Sequence, residues 1–272
     1  MDTSGWKTGR ISHNLCQLEF KYKNHPGLPW MVFLHGFGQN FEAFSDVYET
    51  LEGKYSFLSF NLFFHGESDI DGNKPLEISE WEALILAIFA QLNIEKAHWM
   101  GFSMGGKFTM ISAERLPQLF SEITLLAPDG IVMSPWYRFA TQGILGRFSL
   151  WVLLKYIPAI RVLVLIFSKI GLIKSSVGRF SEHQLNSSEK RQLVLDVWLR
   201  FRKIWPNEKV WIKNLKDHQI PMGIILGKYD SIISIQKFKN KRKEIPEIHW
   251  VELSAGHSNL VQKFAKTITG KV

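Results

Sequence analysis

The chain has 272 residues, 46% hydrophobic and 21% charged, which is close to ordinary globular usage and excludes a disordered, collagen-like or coiled-coil protein. Its one cysteine, Cys16, can form neither an internal disulfide nor a clustered-thiolate zinc site, and the longest apolar run, 83–90, is well short of a membrane span. The net charge of +8 is concentrated: from 130 to 181 there is no acid, while Arg138, Arg147, Lys155, Arg161, Lys169, Lys174 and Arg179 are all basic.

In chain order, strand-like segments near 11–23 are followed by an apolar run, WMVFL, that stops at the glycines of HGFG. A helix is expected over 40–51, a strand over 55–64, a helix over 79–92, a strand over 96–103, a helix over 104–116 and a strand over 122–129. The alternation then breaks across 131–210, where helix-like segments predominate. It resumes with a strand at 221–230, a helix at 234–244, a strand at 247–257 and a helix at 259–269. Strands alternating with helices predict an α/β fold with a mostly parallel sheet covered on both faces. The expected organisation is a core of 1–130 and 211–272 with a helical insertion, or cap, of 131–210. Within the insertion, Leu193, Val194, Val197, Trp198, Phe201 and Ile204 share one helical face, with Asn186 and Glu189 spaced as a capping pair. The basic cluster Lys237, Lys239, Lys241, Arg242 and Lys243 reads as a solvated helix face, and nucleic-acid binding is not expected. The opening residues hold no apolar leader, so a cytoplasmic protein is expected.

The strongest chemical signal is Gly101-Phe102-Ser103-Met104-Gly105, a G-x-S-x-G where a strand is predicted to meet a helix. A serine hydroxyl is a weak nucleophile, and a sharp strand-to-helix turn exposes its oxygen and sets the following backbone N–H beside it. Such a nucleophile needs a base, an acid that orients the base, and donors for an oxyanion. His257, in Ser254-Ala255-Gly256-His257-Ser258, follows the last predicted strand and is the candidate base. Asp230, ending the strand 221–230, is the favoured acid. Asp129 is its rival, although a Pro128-Asp129-Gly130 turn accounts for it. The N–H groups of Phe37, in His35-Gly36-Phe37-Gly38, and of Met104 are the candidate oxyanion donors. His35 itself reads as structural.

HGFG, FHGESD, GFSMGG, LGKYD and SAGHS occur in the order and spacing of the α/β-hydrolase superfamily, which the chain resembles over nearly its whole length. The resemblance implies Ser103 as nucleophile, His257 as base, Asp230 as orienting acid, and Phe37 and Met104 as oxyanion donors. It also implies that 131–210 stands where that family inserts its cap, and that His65 and Ser68 are structural. Relatives with aspartate at the nucleophile act as epoxide hydrolases or dehalogenases, so serine points instead to acyl transfer to water. The expected enzyme is a serine esterase or thioesterase with no metal or organic cofactor. Its small-molecule substrate is expected to carry a hydrophobic acyl or aryl group, because 131–180 is apolar, and Phe102, Trp136 and Phe139 are candidate pocket residues. Ser103-Met104-Gly105-Gly106-Lys107 is also similar to the SMGGR stretch of the menaquinone-pathway lyases, and carbon–carbon bond hydrolases share SMGG. In those enzymes the same triad acts on an anionic substrate. The basic, apolar insertion further suggests peripheral contact with an anionic membrane. A non-catalytic binding protein would have no reason to keep serine, acid and histidine together.

Overall fold

The computed structural model describes residues 5–133, 135–169, 187–245 and 248–269, with the side chains of residues 136 and 157–169 outside that set. Among the described residues nine strands form one sheet. They are β1 (Lys7–His13), β2 (Cys16–Lys23), β3 (Trp30–Leu34), β4 (Ser56–Asn61), β5 (Asp69–Ile70), β6 (Ala97–Phe102), β7 (Phe120–Leu126), β8 (Met222–Gly227) and β9 (His249–Leu253). The strand order is β1-β2-β4-β3-β6-β7-β8-β9, and the two-residue β5 pairs with β2. All pairs from β4 through β9 are parallel, with Leu34 opposite Gly101 and Phe102 opposite Leu126. The β1/β2 hairpin is antiparallel, and β2 joins β4 antiparallel.

The helices are α1 (Ser45–Leu51), α2 (Ile78–Gln91), α3 (Met104–Arg115), α4 (Pro135–Gln142), α5 (Ile144–Lys169), α6 (Ser188–Arg200), α7 (Glu208–Asp217), α8 (Lys239–Glu244) and α9 (Leu260–Ile268). Central strands read as continuous apolar runs because both of their faces are covered: every residue of β4 and β6 is buried. Residues two apart share a face. Met31, Phe33, Phe57, Met100 and Phe102 pack with Phe44, Val47 and Tyr48 at α1 and with Leu260, Val261 and Ala265 of α9. On the other face Trp81 of α2 lies edge-on to Phe60 and to Phe108 of α3, and its indole N–H donates to Ser112. Phe33 touches Phe44, Tyr48 and Phe57 with ring centroids 4.9–6.0 Å apart. Tertiary packing of this density fixes the sheet.

The chain divides into two compact units. The first takes the described residues of Met1–Gly72, Glu77–Val132 and Ile204–Val272, and the second those of Asn73–Leu76 and Met133–Lys203. The first is the α/β sheet with its helices. The second consists of α4, α5, α6 and a short 3-10 turn at Phe201–Lys203. In α6, Val194 and Val197 are buried and Leu193 and Trp198 half-buried, as the expected apolar face requires. Its cap is Ser187, whose hydroxyl accepts from the Lys190 N–H at 3.2 Å, and Asn186 lies outside the described residues. No helix among the described residues is long and apolar enough to cross a membrane.

Candidate active site

Ser103 occupies the single-residue turn between β6 and α3, at φ +50° and ψ −115°. A side chain in that region costs on the order of 1–3 kcal/mol, so the surroundings must hold it there. The Ser103 N–H donates to the Leu126 carbonyl, and the Ser103 carbonyl accepts from the N–H groups of Gly106 and Asp129, each at 2.9 Å. The turn also needs its glycines. A Cβ at Gly105 would run into the Leu34 carbonyl, and one at Gly101 would lie 2.8 Å from Gly105 O and Gly106 Cα.

Asp230 and His257 come from the loops after β8 and β9, which are stitched together by backbone bonds from Lys228 N–H to Leu253 and from Tyr229 N–H to Ala255, at 2.8 and 3.0 Å. The Asp230 side chain is fully buried, and the His257 side chain is 16% exposed. The Asp230 Oδ1 accepts from the Ile232 and Ile233 N–H groups at 2.8 Å each, and Oδ2 lies 2.6 Å from His257 Nδ1. Burial pushes the carboxyl up, but the hydrogen bond and charge of His257 and the two backbone donors outweigh it and leave Asp230 below its ordinary value. An ionised carboxylate only accepts, so Nδ1 carries the proton and Nε2 is the imidazole's acceptor. Nε2 lies 3.1 Å from Ser103 Oγ. The three residues expected to work together are therefore in hydrogen-bonded series.

The rival carboxylate is engaged elsewhere. Asp129 Oδ2 is 3.2 Å from Lys107 Nζ, and Oδ1 accepts from the Gly130 N–H at 2.9 Å. Lys107 is buried, its ammonium 5.8 Å from the Trp205 ring.

The loop carrying Phe37 is held by two neutral histidines. His35 Nε2 accepts from the Leu62 N–H at 3.0 Å, so Nδ1 donates to the Gly36 carbonyl at 2.7 Å. His65 Nε2 accepts from the Gly38 N–H at 2.9 Å, with Nδ1 facing the carbonyls of Phe63 and Leu62 at 3.0 and 3.2 Å. Burial, with a smaller contribution from His65, pushes His35 down to about 3 against the pull of the Gly36 carbonyl, and burial also lowers His65. Ser68 bridges the same turn, donating to the Asn61 carbonyl at 2.6 Å and accepting from the Glu19 N–H at 2.7 Å. Neither the Phe37 nor the Met104 N–H is hydrogen-bonded within the described residues.

Phe102 is buried beneath the imidazole, its ring centroid 4.9 Å from that of His257. Phe139, on α4, is 53% exposed, and the Trp136 side chain lies outside the described residues. Sequence reasoning missed the Lys107–Asp129 pair and the exposed Tyr229 and Ile232 flanking Asp230. The Asx-type turn that Asp230 makes with Ile232 and Ile233 is the readable signal for the latter. No group of three or more potential metal ligands occurs among the described residues.

The α/β hydrolase fold family model matches residues 29–264, and the chain belongs to that family. A Mycoplasma pneumoniae protein provisionally named "esterase/lipase 2" is 29% identical over 110 residues, 40% of this chain and 41% of that protein. A 2-succinyl-6-hydroxy-2,4-cyclohexadiene-1-carboxylate synthase of Escherichia coli is 34% identical over 95 residues, 34% of this chain and 35% of that protein. The match thus spans well under half the length of these curated relatives. Among solved structures, an α/β hydrolase from a deep-sea metagenome library superposes with a TM-score of 0.68 at 15% identity, covering 97% of this chain and 96% of the other.

Proposed function

We propose that this chain is a serine hydrolase of carboxylic esters or thioesters bearing a hydrophobic acyl or aryl group. The observation that carries the proposal is the series from Ser103 Oγ to His257 Nε2 at 3.1 Å and from His257 Nδ1 to Asp230 at 2.6 Å. His257 takes the Ser103 proton as Oγ attacks the carbonyl carbon, forming a tetrahedral intermediate. The Phe37 and Met104 N–H groups stabilise its oxyanion, a contribution of about 3 kcal/mol per donor. The imidazolium then protonates the leaving group, leaving an acyl-Ser103. Water, deprotonated by His257, attacks the acyl carbon, and the second tetrahedral intermediate collapses as His257 returns that proton to the departing Ser103 Oγ, releasing the acid. Asp230 holds the imidazole tautomer and stabilises its charged form without itself taking the proton. The esterase/lipase designation of the Mycoplasma relative supports this class. Placement in the cytoplasm, with peripheral membrane contact, belongs to the same proposal, and recovery of the protein from the cells rather than from the secreted fraction tests it.

The synthase relative favours a second reading, a lyase or carbon–carbon bond hydrolase acting on an anionic substrate. Against it, the ammonium of the buried Lys107 is already paired with the half-buried Asp129, and lysine lacks the planar fork with which arginine holds a carboxylate. Hydrolysis of p-nitrophenyl esters from acetate to laurate, run beside Ser103→Ala, tests the first reading. Serine-dependent turnover with a chain-length optimum is expected. Absence of serine-dependent turnover on every ester and thioester, with turnover of a carboxylate-bearing dienol or dienone, would move the assignment to the second.

A further inference from the structure

The first half of α5 is apolar on two faces. Gly146, Leu150 and Leu154, four residues apart, are buried and seat the helix. On the opposite side Ile144 and Leu145 are each 78% exposed and Phe148 63%, with Trp151 and Tyr156 continuing the same stripe. A single helix holding this many exposed large side chains is unlike the scattered apolar residues of an ordinary surface. Lys155 stands within the stripe, its ammonium 4.6 Å from the Trp151 ring and 5.8 Å from the Tyr156 ring, and Arg147 lies at its edge. The surrounding sequence from 130 to 181 contains no acidic residue.

We propose that the first half of α5 docks this protein on an anionic membrane surface. Aliphatic side chains enter the acyl boundary, aromatic rings sit at headgroup level, and the basic groups meet lipid phosphates. The first half of the helix lies along the interface, its apolar stripe toward the acyl chains. Charge selects this occupant. A second copy docked face to face would bury the basic groups of both stripes, Arg147 and Lys155 of each, in one interface with no acid in 130–181 to answer them. Nucleic acid would leave Ile144 and Leu145 unused.

The test is co-sedimentation of the full chain with vesicles of phosphatidylcholine, alone or with about 30% phosphatidylglycerol, at low and high salt. Arg147 and Lys155 predict about a 30-fold preference for the anionic vesicles, lost as salt rises from about 0.1 M to about 1 M. Leu145→Glu combined with Phe148→Glu is expected to weaken binding by about tenfold or more. Circular dichroism and turnover of a soluble ester should be unchanged, because both side chains are exposed. Lys155→Glu alone should reduce the anionic preference. Ser103→Ala should bind as wild type, which separates this proposal from the hydrolase reading. Failure of the wild-type protein to bind anionic vesicles, or equal binding by the folded double variant, would overturn it. Concentration-dependent dimerisation abolished by the double variant, or capture only by an acidic protein, without vesicle binding would overturn it too.

Discussion

Replacing Asp230 with asparagine should remove the general base without removing the histidine. The side-chain position of Asp230 Oδ1 is fixed by two backbone donors, the N–H groups of Ile232 and Ile233, both at 2.8 Å. An amide in that site must place its carbonyl oxygen there, which turns its NH2 toward His257 Nδ1. Nδ1 then has to accept, the proton moves to Nε2, and Nε2 can no longer take the proton of Ser103 Oγ 3.1 Å away. Loss of the correct tautomer in such a triad costs about 10⁴ in kcat, equivalent to about 5 kcal/mol of transition-state stabilisation. KM should change little, because the substituted group does not touch substrate. Steady-state kinetics of Asp230→Asn on the best p-nitrophenyl ester measures this, with a melting curve to confirm the fold. A kcat within about tenfold of wild type would refute the tautomer argument.

Asp129→Asn should keep kcat within about tenfold of wild type, since its backbone N–H to Ser103 is retained. A loss as large as that of Asp230→Asn would make Asp129 the acid. Gly105→Ala should destabilise by about 3 kcal/mol or more, because the new methyl meets the Leu34 carbonyl, and a thermal melt reads the loss. Burial pushes His35 down to about 3 and His98 down to about 4, whereas the unfolded chain protonates both near pH 6.5. The unfolded state therefore binds more protons below pH 6.5, and stability should fall with acidification at about 1.4 kcal/mol per pH unit for each histidine until the folded values are reached. Urea midpoints that stay level from pH 7 to pH 4.5 would contradict this.

The sheet was legible because parallel strands buried on both faces write themselves as apolar runs, and β3, β4 and β6 lie within the segments expected from them. Strand ends were not. The expected strand 55–64 stops at Asn61, although Leu62 and Phe63 are fully buried, because those residues belong to the turn that His65 ties to Gly38. The expected strand 247–257 stops at Leu253, where the chain leaves the sheet to deliver His257. Apolar composition reports burial, and the turn at Leu62 and Phe63 is as buried as the strand before it. The two-residue β5 gives no periodic signal at all. The series Ser103, His257 and Asp230 could be read from motif order. Asp230 is favoured over Asp129 in the sequence because a Pro128-Asp129-Gly130 turn already accounts for the latter, and in the structure Asp230 meets His257 while Asp129 meets Lys107 and the Gly130 N–H. Lys107 is buried, and its partner is supplied by the loop after β7.

Reaction of the purified protein with a fluorophosphonate, followed by peptide mass mapping, tests whether Ser103 is the activated nucleophile. One covalent adduct is expected, on Ser103, absent in Ser103→Ala and formed far more slowly in His257→Gln. An adduct on another residue, or none in the folded wild-type protein, would contradict that role.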